Sequence, residues 1–214
     1  MTAKAAFWDR IAESYAARPL PNPEATERKL AIVRGLMEPD HRVLDIGCGT
    51  GTIVMRLHDA AGEIHGLDIS AAMVEFGRDK AEKAGADHVH FHVGPFDEQF
   101  DVFGDASLDG VLAFNIVHLV PDADAAMRQI FRMLRPGGYF VQSTAFLAGT
   151  WMPLWLVIPV MRWFGRAPDH VAMLDKATVI DQMRHIGFVD IEEHDVGSSD
   201  NSGFLVARKP DGSV

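Results

Sequence analysis

The segment VLDIGCGTG at residues 43–51 places an acid and three alternating glycines directly after an apolar run. This pattern is typical of a buried strand that ends in a ligand-binding loop, because glycines let a ligand approach the backbone. The spacing is G-x-G-x-G, and Thr52 stands where the dinucleotide fingerprint G-x-G-x-x-G has its last glycine. The segment therefore predicts a ligand other than NAD.

A second acid closes the next apolar run of the sequence. Asp68 follows Asp45 by 23 positions, within the apolar stretch that ends Gly66-Leu67-Asp68. In a βαβ unit, this spacing places a carboxylate where it can accept hydrogen bonds from ribose hydroxyls. Two acids at strand ends, on either side of a glycine loop, indicate a site for a nucleoside.

The sequence resembles the class I S-adenosylmethionine-dependent methyltransferases over about residues 7–207. The resemblance rests on the motif at 43–51, on Asp68, on the LRPGG turn at 134–138 and on the order of the elements. It implies S-adenosylmethionine as the cofactor and S-adenosylhomocysteine as the product. The N-terminal segment WDRIAESY is similar to a helix that folds over the cofactor in the small-molecule branch, which would make Tyr15 part of a lid.

The resemblance also implies roles for the residues at the strand ends. Asp45 and the glycine loop would hold the methionine part of the cofactor, Asp68 its ribose, and Ile69 with Met73 the adenine. Cys48 is expected to be a small residue beneath the ligand rather than a nucleophile. The predicted cofactor-binding residues are Tyr15, Asp45, Gly47, Cys48, Gly49, Asp68, Ile69, Met73, Gly94, Pro95, Phe96 and Asn115.

The loop after the third strand departs from the pattern of the family. Pro95 stands where family members commonly carry an acid that accepts a hydrogen bond from the adenine amino group. The backbone around Phe96 or the Asp97 carboxylate would then contact the adenine, although Asp97 fits a solvated turn acid equally well. The sequence assigns no residue to a metal ion.

The loop after the fourth strand holds the catalytic candidate. His118 is the predicted general base, because imidazole titrates near neutral pH and the loop faces the cofactor. The alternative is that His118, which lies in an apolar stretch, is a packing residue. The Asn/Asp-Pro-Pro-aromatic sequence of DNA and protein-amide methylases is missing at Asn115, where the resemblance implies a contact to the cofactor.

The elements that must position these residues alternate between strand and helix. This alternation predicts an α/β fold with a Rossmann-like parallel sheet, helices on both faces and an antiparallel C-terminal hairpin strand. The resemblance places the last strand beside strand five. Strands are predicted at about 42–46, 63–68, 88–93, 110–114, 138–144, 188–193 and 203–207, and helices at about 7–15, 24–37, 53–61, 70–83, 123–134 and 176–185.

Residues 146–164 are strongly apolar and hold three of the four tryptophans, Trp151, Trp155 and Trp163. The apolar run reaches 16 residues before Arg162 and contains two prolines and a glycine, so it is too short to cross a bilayer. Three interpretations remain open: a cap over an apolar substrate, a homodimer contact or an anchor at a membrane surface. The insert, at about 146–170, and N-terminal lid helices at about 5–38 would elaborate one domain over 1–214.

Composition narrows the class of protein. With 214 residues, 48% hydrophobic residues and a mean hydropathy of +0.02, the chain fits one globular domain. The net charge of −10 disfavours nucleic acid as a partner. The N-terminal residues lack the apolar stretch of a signal peptide and there is one cysteine, which predicts a cytoplasmic protein.

The predicted activity is methyl transfer to a small or medium, substantially apolar acceptor. The alternative enzyme is a lipid or quinone methyltransferase that works at a membrane surface. The alternative from another class is a non-catalytic cofactor-binding module in which the insert mediates assembly.

Overall fold

A computed structural model of the chain describes residues 3–97, 99–146, 170–198 and 202–212. These residues form one seven-stranded sheet with helices packed on it. The tryptophan-rich segment lies almost entirely in 147–169, so the predictions for Trp151, Trp155 and Trp163 fall outside the described residues. Within the described ranges, no helix has the length and apolarity needed to cross a bilayer.

All seven predicted strands are present and join in one sheet. Their positions across the sheet are β3-β2-β1-β4-β5-β7-β6, with β1 to β5 parallel and β7 antiparallel to both of its neighbours. The predicted fold class and the insertion of the last strand beside β5 are therefore confirmed. The strands are β1 (Arg42–Ile46), β2 (Glu63–Asp68), β3 (Val89–Val93), β4 (Leu108–Phe114), β5 (Leu134–Ala145), β6 (Val189–Glu193) and β7 (Ser202–Arg208).

Side chains that cap helix N-termini fix where several helices begin. Ser70 accepts a hydrogen bond from the backbone N–H of Met73, and Asp122 and Asp175 cap two later helices in the same way. Two short 3₁₀ turns, His58–Ala60 and Val117–Leu119, complete the described helical structure. The α-helices are α1 (Ala3–Ala16), α2 (Pro23–Arg34), α3 (Thr52–Leu57), α4 (Ala71–Ala84), α5 (Ala123–Met133) and α6 (Lys176–Ile186).

The core lies on both faces of the sheet. Successive residues of a strand point to opposite faces, and Val43 and Leu44 accordingly belong to different apolar clusters. One cluster packs under α2, α3 and α4, and the other packs under α5 and α6. Because helices cover both faces of the sheet, a ligand can reach it only at the ends of the strands.

Several predicted boundaries were wrong: α1 begins at Ala3, α3 ends at Leu57 and β4 begins at Leu108. Two other differences have a local cause. Helix α2 ends at Arg34 rather than Met37. The N–H groups of Leu36 and Met37 donate to the carbonyls three residues earlier, those of Val33 and Arg34, and not to the carbonyls four residues earlier that continue an α-helix. Strand β5 begins at Leu134 rather than Gly138, and its pairing with β4 shifts register between Leu108 and Gly110. The Arg-Pro-Gly-Gly residues therefore form an irregularity inside the strand, where a proline is tolerated because it need not donate to the ladder.

Candidate active site

A cavity of about 600 Å³ opens at the carboxyl ends of β1 to β4, where the strand order reverses between β1 and β4. Open α/β sheets bind ligands at this point, and the volume suits a small organic molecule. The structure brings all twelve predicted cofactor-binding residues to the wall of the cavity. They are Tyr15, Asp45, Gly47, Cys48, Gly49, Asp68, Ile69, Met73, Gly94, Pro95, Phe96 and Asn115.

The glycine loop after β1 follows a path that side chains would obstruct. Gly47 has φ +70°, and a Cβ atom added there would lie 2.7 Å from Cγ1 of Ile116. The backbone N–H groups of Gly47 and Cys48 donate to the carbonyl of Leu67 at 2.7 and 3.0 Å, which fastens the loop to β2. The glycine spacing read from the sequence thus corresponds to a tightly packed loop at the mouth of the cavity.

Asp45 is a buried acid without a partner. Its side chain is 1% exposed, and Oδ1 has no hydrogen-bond partner among the described residues. Burial raises the pKa of Asp45 well above its usual value, and the nearby Asp68 carboxylate raises the pKa further. An unpaired buried carboxyl group at a cavity wall fits a ligand that brings a cationic group or hydrogen-bond donors.

Asp68 is partly buried, and both of its oxygens accept backbone hydrogen bonds. Oδ2 accepts from the N–H of Gly49 and Oδ1 from the N–H of Ser70, each at 2.9 Å. Burial nevertheless raises the pKa of Asp68, against the lowering effect of these two bonds. Because each carboxylate oxygen can accept more than one hydrogen bond, the group keeps capacity for two ligand hydroxyls.

The N-terminal helix is held over the cavity by a residue that the sequence did not single out. Oδ1 of Asp9 accepts from Oγ of Ser70 at 2.6 Å and from the N–H of Ala72 at 3.2 Å. These bonds join α1 to the start of α4. They place Tyr15 at the cavity wall, where burial raises the pKa of its hydroxyl and the charge of Asp68 raises it further.

Two lysines near the cavity were also missed. Lys80, on α4, donates from Nζ to the carbonyl of Thr50 at 2.7 Å and to Oγ1 of Thr52 at 2.9 Å, which supports the glycine loop from the side. Lys29, on α2, lines the cavity itself. A lysine on a helix normally indicates a solvated surface, so the sequence contained no signal for either contact.

The loop after β3 lines the cavity with its backbone, which is bonded to β2, and with one aromatic ring. The N–H of Gly94 donates to the carbonyl of Asp68 at 2.9 Å, and the Phe96 ring packs 5.6 Å from the ring of Phe100. Asp97 also lines the cavity, while its Oδ1 accepts from the N–H of Gln99 at 3.0 Å. Asp97 therefore acts as a turn acid whose carboxylate lies beside the cavity.

His118 lies in the 3₁₀ turn after β4, and it is not among the described residues that line the cavity. Its Nδ1 is buried and has no hydrogen-bond partner in the described parts of the chain, and burial lowers the pKa of the imidazole. Its backbone carbonyl accepts from the N–H of Ala172 at 2.7 Å. The geometry therefore favours the packing role for His118, and the base role stays a prediction.

Replacement of His118 by glutamine separates these two roles. We expect His118→Gln to lower turnover by less than about tenfold, whereas loss of a general base costs about 10² or more. Initial rates and thermal unfolding of the two proteins, measured side by side, make the comparison. A fall of 10² or more in turnover, with unchanged melting temperature and cofactor affinity, would show that His118 is a base.

Residues 37–155 match the family model described as a methyltransferase domain, which is more than half of the chain. This chain belongs to the methyltransferase domain family. The match covers β1 to β5, and thus the strand ends that form the cavity. The predicted class I methyltransferase family, and S-adenosylmethionine as its cofactor, are confirmed at the level of the family.

Curated relatives include enzymes that methylate at carbon and at oxygen. The methyltransferase domain is 38% identical to 27-O-demethylrifamycin SV methyltransferase of Amycolatopsis mediterranei, over 54% of this chain and 43% of that protein. It is 31% identical to the ubiquinone/menaquinone biosynthesis C-methyltransferase UbiE of Geotalea daltonii, over 53% of this chain and 49% of that protein. For these two proteins and two further curated relatives, the match spans from 19% to 55% of the relative's own length.

The fold of the methyltransferase domain is shared with solved structures. Geranyl diphosphate C-methyltransferase from Streptomyces coelicolor A3(2) superposes with a TM-score of 0.72. The superposition covers 95% of each chain at 16% identity, so this likeness shows the fold alone.

Proposed function

We propose that this chain binds S-adenosylmethionine in the cavity and transfers its methyl group to a small or medium, substantially apolar molecule. The observation that carries the proposal is the buried, unpaired carboxyl group of Asp45, which lies at the wall of a cavity of suitable size. The amino group of the cofactor would supply the missing donors. When bound, S-adenosylmethionine provides a methyl group on a positively charged sulfur, which needs orientation rather than further activation.

Residues at different strand ends would bind different parts of the cofactor. Asp68 would accept the ribose hydroxyls, because its oxygens are already oriented by the backbone N–H groups of Gly49 and Ser70. Ile69 and Phe96 supply apolar surface on the side of β2 and β3, and the loop at Gly47 lets the methionine part approach the backbone. These roles agree with those implied by the resemblance.

The wall on the side of β4 supports an apolar acceptor. Apolar side chains there belong to Phe114 at the end of β4 and to the residues that follow it. Helix α1, joined to α4 through Asp9, covers the cavity with Trp8 and Tyr15 and reduces the access of water. Exclusion of water and close orientation of the two reactants would supply most of the rate. The other described apolar residues of this wall are Ile116, Leu119, Val120 and Pro121.

Calorimetry tests the cofactor assignment directly. We expect wild-type protein to bind S-adenosylmethionine and not NAD. Replacing Asp68 with alanine should weaken that binding by about tenfold or more, because a hydrogen bond to a charged group contributes about 1.5–3 kcal/mol. Wild-type binding of NAD, or unchanged affinity in Asp68→Ala, would contradict the assignment. A mass gain of about one methylene group on a metabolite, after incubation of enzyme and cofactor with extract, would identify the acceptor.

A second candidate is methylation of a quinone or lipid at a membrane surface. The similarity to a quinone C-methyltransferase and the apolar residues 146–164 favour it. Loss of liposome binding on replacement of Trp155, with turnover of small acceptors unchanged, would support this candidate. A change from dimer to monomer in the same variant would instead assign the segment to a subunit contact. A protein that binds the cofactor without any turnover would be a non-catalytic module.

A further inference from the structure

Lys29 brings a positive charge to the wall of the cavity, near the apolar residues that follow β4. It lies on α2, lines the cavity and donates from Nζ to Oγ of Ser143 at 2.8 Å. The same Nζ lies 6.0 Å from the centre of the Phe204 ring. Ser143 is fully buried near the carboxyl end of β5, so this hydrogen bond fixes the ammonium group at that end of the strand.

The charge of Lys29 has no acidic partner in the described parts of the chain. There, no carboxylate lies within ion-pair distance of Nζ, and burial lowers the pKa of the group. An ammonium group carries three donors, and one hydroxyl acceptor leaves two of them without a described partner. Lys176, by contrast, pairs with Glu193 at 2.8 Å. A partly buried cation of this kind is stabilised by an anion that the ligand brings.

The position of Lys29 points to the acceptor rather than to the cofactor. The predicted cofactor acids, Asp45 and Asp68, close β1 and β2 on one side of the point where strand order reverses. Ser143 lies in β5 on the other side, paired with Phe114 of β4 and Phe204 of β7. The N–H of Asn115, a predicted cofactor contact after β4, donates to the carbonyl of Ser143 at 2.6 Å. Lys29 therefore lies at the β5 side of the predicted cofactor residues, next to the apolar wall that follows β4.

We propose that Lys29 binds an anionic oxygen of the methyl acceptor. The acceptor is then an apolar molecule that carries a carboxylate or an ionised hydroxyl group, either at the methylated atom or as an anchor elsewhere. This inference rests on the proposed function, because it assigns the acceptor of the same site. Lys29 becomes the residue that selects acidic acceptors over neutral ones of the same shape, since an unpaired buried charge disfavours a neutral ligand.

Matched acids and amides test this selection without knowledge of the natural acceptor. The protein is saturated with S-adenosylhomocysteine and titrated by calorimetry with 4-phenylbenzoate, 2-naphthoate and decanoate, and with the amide of each. We expect at least one acid to bind about tenfold or more tightly than its amide, the size of a charge-assisted hydrogen bond. Lys29→Met should abolish the preference, and Lys29→Arg should keep most of it.

Two further measurements make the outcomes distinct. Lys83→Met removes an equal charge from the exposed last turn of α4, and it should leave the preference unchanged. Affinity for S-adenosylhomocysteine alone is measured in every variant. The proposal is wrong if no acid binds more tightly than its amide, if Lys29→Met keeps the preference, or if Lys29→Met loses affinity for S-adenosylhomocysteine. Absence of S-adenosylhomocysteine binding in wild-type protein would instead overturn the proposed function.

Discussion

The Asp45→Asn variant is expected to be more stable than wild-type protein without ligand at neutral pH, and to bind S-adenosylhomocysteine at least tenfold more weakly. The first effect follows from the buried, unpaired carboxyl group, whose pKa is raised by burial and by Asp68. An unsatisfied buried charge costs about 1–3 kcal/mol or more. The second effect follows because the amide lacks the charge that a cationic ligand group would pair with.

The pH dependence of the free energy of unfolding is a second test of the prediction for Asp45→Asn. The raised pKa means that folded protein holds the Asp45 proton at pH values where unfolded protein has lost it. The contribution of Asp45 to the free energy of unfolding of the unliganded protein should therefore fall as pH rises above about 4, until the folded-state pKa is passed. Thermal unfolding from pH 4 to 8 should show that the stability of Asp45→Asn relative to wild-type protein increases as pH rises.

Asp109 provides the control, since it is also buried but has a backbone hydrogen bond and an arginine beside it. Its Oδ2 accepts from the N–H of Arg42 at 2.7 Å, and its carboxylate also contacts the Arg135 guanidinium. Asp109→Asn should therefore lower the free energy of unfolding and leave ligand affinity nearly unchanged. Equal destabilisation by both substitutions would mean that Asp45 is a structural acid and has a partner in the unliganded protein.

Gly47→Ala is expected to lower the free energy of unfolding by about 2 kcal/mol or more and to reduce S-adenosylhomocysteine affinity at least tenfold. Two costs add at this position. The residue has φ +70°, which L residues rarely adopt, and the new Cβ atom would lie 2.7 Å from Cγ1 of Ile116. Relief of the clash must move the loop or Ile116, and both line the cavity. Denaturant unfolding and calorimetry measure the two effects.

Gly85 separates the clash from the backbone strain. It has φ +62° at the end of α4, and an added Cβ atom would meet nothing within 4 Å. Gly85→Ala should cost about 1–2 kcal/mol from its backbone conformation alone and leave ligand affinity unchanged. If Gly47→Ala matches Gly85→Ala in both measurements, the close approach of the loop to Ile116 does not matter for binding.

Local sequence patterns were enough to predict most of the frame of the site. Apolar runs that end in acids located β1 and β2 correctly, and a serine cap located the start of α4. Glycine spacing located the loop because its backbone conformation depends on the residues of the loop itself. In an open α/β sheet the positions of the strand ends then determine where the cavity lies, so twelve predicted residues came together at its wall.

Contacts between distant parts of the chain were not predictable in this way. Asp9 reaches Ser70 across 61 positions, and Lys29 reaches Ser143 across 114. Each of these side chains also fits a solvated helix surface, so its type and spacing gave no signal. His118 shows the opposite error: its type suggested chemistry, while its location depends on how the 3₁₀ turn after β4 packs.

The order of strands across the sheet also bears on folding during synthesis. Among the described residues, β6 pairs with β7 alone, and β7 lies between β6 and β5. When the ribosome has made β6 but not β7, one side of β5 lacks its neighbour and β6 has no place in the sheet. A nascent chain at this stage exposes the unpaired edge of β5, a site for aggregation or chaperone binding. The sheet can therefore be completed only after residues 202–208 have left the ribosome.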